Sequence, residues 1–284
     1  MPSSTEMREV LDLAITKGVR EFIRRAGAAG VHLAGIRTVE EAEREAFSKE
    51  ADAIWADPSN IMLEMLRLGH TDIAIQPGPY VHDRVSPAGL EQMVLQNVVR
   101  LRGWPVPFVD NRIPIARHGS WIGQDIGPGG VPHFEAWRFC TSGQFLQRRV
   151  LATDLEESPH LKPSAPFATG AVAVWDILLY LVEVAEFAAR VGIQLESDTI
   201  TISAALTQVG GRQLISGDWN RELDTNYVVN ATKLETIVTL ETARLIEDPR
   251  RLGVQITQQL LRQFGADISD QVLIDWQDQI LRDR

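Results

Sequence analysis

At 284 residues, 44% hydrophobic and 23% charged, the chain has room for one large domain or two of medium size, and its composition excludes intrinsic disorder. A net charge of −10 excludes a protein that coats nucleic acid or an anionic membrane with its whole surface, though a local basic patch stays open. Its single cysteine, Cys140, excludes an intramolecular disulfide and fits a reducing cytoplasm.

Met1-Pro2-Ser3-Ser4-Thr5-Glu6 shows no charged-then-apolar leader pattern. From Glu6 to Arg25, Val10, Leu13, Ala14, Val19, Phe22 and Ile23 fall at helical spacing, and Gly27 and Gly30 stop the helix. Thr38 with Glu41 three residues on is a capping-box signature for a second helix reaching about Ile54. Asp57-Pro58-Ser59 opens a third helix that ends at Gly69. Residues 1–70 are therefore expected to form a helical N-terminal region, and 71–284 an α+β domain.

Thr71–Gln76 alternates as a short strand before the Pro77-Gly78-Pro79 break. Ser86-Pro87 then caps a helix carried to Gly103 by Leu90, Met93, Val94, Asn97, Val98 and Leu101. Beyond it the period changes to two. Arg112–Ala116, Ser120–Ile126, Phe134–Cys140 and Gln144–Ala152 read as strands, with Thr141-Ser142-Gly143 as a hairpin turn. Leu155–Thr169, rich in Ser and Pro, is the linker or lid candidate.

Ala171–Val191 is a long apolar run, but Asp176, Glu183 and Glu186 interrupt it. A membrane span needs roughly 18 nearly uncharged residues, so this run predicts a buried helix. Asp176 would need a buried cation, with Arg212 or Arg138 as the expected partner, whereas Glu186 and Arg190 are spaced for a surface pair. Strands follow at Asp198–Leu206, Gln213–Ile215, Asn226–Asn230 and Glu235–Leu240, with Gly210-Gly211 as a turn. Asp248-Pro249 caps a helix ended by Gly265, and Ser269 opens a last one containing Trp276. Strands joined by hairpin-length turns predict an α+β fold: a mainly antiparallel sheet flanked by a long central helix and C-terminal helices.

No phosphate-binding loop, dinucleotide fingerprint, nucleophile elbow, His-Glu-x-x-His or Cys-x-x-Cys occurs in the sequence. His70-Thr71-Asp72 with His82-Asp83 suggests a metal-dependent hydrolase using His70, His82 and Asp83, although a Pro-Gly-Pro break separates the histidines. His118, His133 and Cys140 lack the paired spacing of a structural zinc site. No metal site and no cofactor are therefore expected.

The segment Val99–Ala152 is different in kind. It holds seven of the chain's nineteen aromatic residues and seven arginines against Asp110, Asp125 and Glu135. Rings and guanidinium groups dominate tight recognition surfaces. This makes Trp104, Arg112, Arg117, Trp121, Trp137, Arg138, Arg148 and Arg149 the candidate binding residues. Alternation splits the hairpin into Phe134, Ala136, Arg138 and Cys140 against Glu135, Trp137 and Phe139, and neither face is cleanly polar. Trp104, Trp137 and Phe139 as plain core is the competing reading.

Leu101-Arg102-Gly103-Trp104-Pro105, Glu135-Ala136-Trp137-Arg138-Phe139 and Ser142-Gly143-Gln144-Phe145 resemble an uncharacterised bacterial module found downstream of Schlafen-type AlbA nucleic-acid-binding domains. The resemblance runs from about Ser86 to Phe264 and implies a role in regulatory or anti-phage defence proteins. It does not include the AlbA-type domain and carries over no catalytic residue. The main expectation is a non-enzymatic cytoplasmic interaction or sensor module acting with a protein partner or a second copy of itself. The alternatives are the metal-dependent hydrolase and nucleic-acid binding through the central arginines.

Overall fold

The computed structural model describes residues 38–101, 104–129, 133–218, 221–223 and 227–282. The helix expected over Glu6–Arg25 lies outside them. The chain divides into a unit ending at Ala53 and a larger one from Ile54 to Arg284.

The first unit shows most of helix α1 (Val39–Trp55), opened by the predicted capping box. The Glu41 amide donates to Thr38 Oγ1 at 3.1 Å, and the Thr38 amide donates to Glu41 Oε2 at 3.0 Å. Ser59 caps the short α2 (Asn60–Met65), its hydroxyl accepting from the Met62 amide. This helix stops before the predicted Gly69 and belongs with the larger unit.

The larger unit is α+β. Its main sheet has seven strands in the order β10-β7-β1-β5-β4-β3-β2, and every neighbouring pair is antiparallel. These are β1 (His70–Gly78), β2 (Ala116–His118), β3 (Trp121–Ile126), β4 (Glu135–Cys140), β5 (Phe145–Val150), β7 (Thr199–Thr207) and β10 (Lys233–Glu241). A small sheet joins β6 (Gly170–Ala173), β8 (Arg212–Ile215) and β9 (Tyr227–Val228). The predicted β4–β5 turn is present: Gly143 adopts φ +86°, a conformation L side chains rarely take, and its amide donates to the Cys140 carbonyl at 2.9 Å.

Helix α5 (Val174–Gln194) crosses one face of the sheet. Tyr180 and Phe187 meet Gln147 and Phe145 there, with the two phenylalanine rings 4.7 Å apart. Helices α6 (Thr242–Glu247), α7 (Pro249–Gln263) and α8 (Asp270–Arg282) pack on α5. Under α5 lie Ile73, Ile75, Trp137, Phe139, Phe145, Ile200 and Ile202, all buried. The opposite face of β4 and β5 is closed by Trp55, Met62, Met65, Leu68 and Leu155. Every residue of β4 is therefore buried.

Four local expectations shift. Residues 110–113 form a turn instead of a strand, because Asp110 Oδ1 takes the Arg112 amide at 2.9 Å and the Ile113 amide donates to the Asp110 carbonyl. The helix expected from Ser86 begins only at α3 (Leu90–Asn97), after a turn in which the Gly89 amide donates to the Ser86 carbonyl. The first residues of the long apolar run become β6, paired in parallel with β8, before α5 starts. Asp176 pairs with neither Arg212 nor Arg138 but with Arg149, at 2.7 Å.

Burial works against the charge on Arg149, but Asp176 together with Tyr180 and Glu135 outweighs it, and the net effect raises its pKa. Removing one member of such a pair strands the other. Arg149→Met is expected to destabilise by about 3–5 kcal/mol. Arg149→Met with Asp176→Leu should recover most of that loss, as read by urea unfolding.

Candidate functional site

The eight predicted binding residues do not form one surface. Trp137 is fully buried, and its Nε1 donates to the Phe108 carbonyl at 2.9 Å. Arg149 lies between the sheet and α5, its guanidinium 4.1 Å from the Tyr180 ring centroid. For these two the recognition reading is corrected: they belong to the interior. Alternation placed Glu135 and Trp137 on one face of β4, the register sets Arg149 and Gln147 opposite them on β5, and that face is the one α5 covers.

A polar chain threads this covered face. Buried Glu135 accepts from the Phe108 amide at 2.9 Å and from Gln147 Nε2 at 2.6 Å, and its other oxygen meets His133 Nε2 at 2.9 Å. Gln147 Oε1 in turn accepts from the Tyr180 hydroxyl at 2.8 Å. Burial pushes the Tyr180 pKa far above that of an ordinary phenol, which keeps the hydroxyl a donor. Trp104, 38% exposed, stacks on His133 at 5.1 Å and so forms the outer cover of this chain.

Trp121, Arg138 and Arg148 do come together, on the other face. Arg138 lies 4.8 Å from the Trp121 ring centroid and 5.0 Å from that of Trp55, and Arg148 lies 4.5 Å from the Trp55 centroid. His118 stacks on the outer side of Trp121 at 4.0 Å. The result is a ladder of alternating rings and cations across β2, β3, β4 and β5. Each guanidinium also holds a carboxylate: Arg138 with Asp125 at 2.6 Å, Arg148 with Asp72 at 2.7 Å. Gly123 makes room for the ladder, since a Cβ there would sit 2.5 Å from Arg138 Cδ and 2.2 Å from the Trp137 carbonyl oxygen.

Arg112 and Arg117 are exposed and stand apart, paired with Asp110 and Glu91. All five proposed binding arginines thus face a carboxylate of this chain. Sequence reading passed over Trp55, which completes the ladder from the end of α1, where nothing local marks it.

The histidines of the hydrolase reading do not converge. His70 begins β1 and is buried, its Nδ1 2.8 Å from the Leu68 carbonyl. His82 lies four residues beyond the end of the same strand, exposed beside Asp83. Nine extended residues span roughly 27 Å, and four more lead back at most about 14 Å. The two rings therefore lie toward opposite ends of β1. His133 and Cys140 likewise flank opposite ends of β4. Among the described residues, no group of three or more His, Cys, Asp or Glu is arranged to hold a metal.

Partial burial works against the Asp72 carboxylate, but His70 and Arg148 outweigh it and bring its pKa down to about 2. A depressed carboxylate pKa stabilises the fold above the unfolded value and loses that effect as pH falls through the folded one. Wild type should exceed Asp72→Asn by at most ~2 kcal/mol near neutrality. The gap should close between about pH 4 and pH 2 in denaturant melts at each pH. Gly123→Ala is expected to cost about 1–3 kcal/mol in the same assay, as overpacking does.

No family model, curated protein or solved structure matches the chain.

Proposed function

We propose that this chain is a non-catalytic protein-interaction module. It acts with a protein partner in the cytoplasm, in the kind of bacterial regulatory or defence assembly that its resemblance implies. The central arginines do not favour the nucleic-acid alternative, because a phosphate would have to displace a carboxylate from each of them.

The observation that carries the reading is Phe167, 93% exposed at the tip of the loop joining α4 (Ala152–Leu155) to β6. That loop is held from within. Gln213 Oε1 accepts the amides of Ser164 and Ala165 at 2.7 and 2.8 Å. The Thr169 amide donates to the Gly211 carbonyl at 2.9 Å, and Leu161 is buried beneath. Full burial of one large apolar side chain is worth about 1.5–3 kcal/mol. A loop already ordered spends little of that on fixing its shape.

Capture of a partner from the native host, followed by affinity measurement with both proteins purified, tests this. Phe167→Ala should weaken binding by ~30-fold or more, the scale of an interface hot spot, without shifting thermal unfolding. Equal affinity for both forms would sink the Phe167 anchor. Turnover of nucleotide, nucleic acid or ester that disappears with His82→Ala or Asp83→Ala would sink the non-catalytic reading.

A further inference from the structure

Strand β10 closes one end of the seven-stranded sheet and pairs with β7 along its whole length, Lys233 opposite Thr207 through Glu241 opposite Thr199. That register is unbroken, and the strand contains no proline. Long edges without a bulge or proline are uncommon because their outer amides and carbonyls invite another strand. Successive residues turn these groups alternately inward and outward. The Thr242 amide donates to the Asp198 carbonyl, so even-numbered positions face β7. Odd-numbered ones, from Lys233 to Glu241, face out.

The side chains of the same odd positions lie on the face away from α5, and they are Lys233, Glu235, Ile237, Thr239 and Glu241. Ile237 is apolar in this otherwise polar row and 60% exposed. Among the described residues one side chain covers the edge: Gln263 Nε2 donates to the Glu235 carbonyl at 3.0 Å, and its Oε1 accepts the Glu235 amide at 3.3 Å. This exposed amide occupies one residue's worth of edge, as a neighbouring strand would. The outward groups of Ile237 and Thr239 have no such cover among the described residues.

We propose that the β10 edge is a self-association surface, on which a second copy of this chain lays its own β10 antiparallel, centred on Ile237. A two-fold axis there sets Ile237 against Ile237 and Glu235 against Thr239. At both ends it sets Lys233 against Glu241 of the second copy. This register uses all nine residues of the strand. Sliding the copies two residues one way sets Glu235 against Glu241 of the second copy. Sliding them two the other way leaves Lys233 facing Thr239. Opposite charges directly across antiparallel strands stabilise the pair and like charges oppose it. The charge pattern therefore selects both the occupant and the register, and the seven-stranded sheet continues into its copy. Gln263 must swing aside at each end.

Sedimentation of the full chain over a range of concentrations tests the proposal. A monomer–dimer equilibrium is expected, and a monomer at every concentration up to roughly millimolar overturns it. Lys233→Glu, which places like charges at both ends, should weaken the dimer ~10-fold or more. Lys233→Glu with Glu241→Lys should restore it, and a dimer indifferent to both changes overturns the register. Ile237→Pro should abolish association while the far-ultraviolet spectrum is retained, since the lost amide faces outward. Phe167→Ala should leave the dimer intact. Loss of the dimer with that variant would place self-association on the loop and overturn the edge.

Discussion

Strand β4 is buried on both faces and yet carries Glu135 and Arg138, and its neighbour β5 carries Arg148 and Arg149. Charge taken out of water must be matched inside the protein, and the arrangement around these strands follows from that requirement. Asp176 sits in the first turn of α5, where it meets Arg149. Asp72 on β1 meets Arg148, and Asp125 on β3 meets Arg138. Register and helix position are thereby tied to charge as well as to apolar packing. A slip of one residue in β5 would turn both arginines toward the wrong face.

The two faces solve the problem differently. Beneath α5 the polar groups form a hydrogen-bonded chain from His133 through Glu135 and Gln147 to Tyr180. On the other face, indole rings separate the guanidinium groups and carboxylates neutralise them. Both arrangements match their charges or polar groups within the chain. The two proposed recognition features lie at the periphery: a pinned loop displaying one aromatic ring, and a strand edge whose outward groups at Ile237 and Thr239 have no cover among the described residues.

Local chemistry made several elements legible. Thr38 and Glu41 form the capping box their spacing indicated, and Ser59 caps α2. Gly143 supplies the left-handed turn between β4 and β5. Glu186 and Arg190 pair at 2.6 Å along α5. Strict alternation assigned the two faces of β4, residue by residue. Phe167 and Ile237 also carried a signal that went unread. One is a lone ring in a Ser- and Pro-rich loop, and the other a lone apolar residue in the polar phase of a strand.

Composition and periodicity thus sufficed for the α+β class, the antiparallel pairing and the residues sharing each strand face, because propensity, capping and alternation act over a few neighbouring positions. Partner choice lay beyond them. Arg149 and Asp176 are 27 residues apart, and Arg148 and Asp72 are 76 apart. Nothing within either neighbourhood distinguishes an arginine destined for a buried carboxylate from one held out to solvent. Only the stacking order of the strands and the crossing of α5 decided that the ring-and-guanidinium segment lies inside, because burial is set by what packs on a face rather than by the residues that line it.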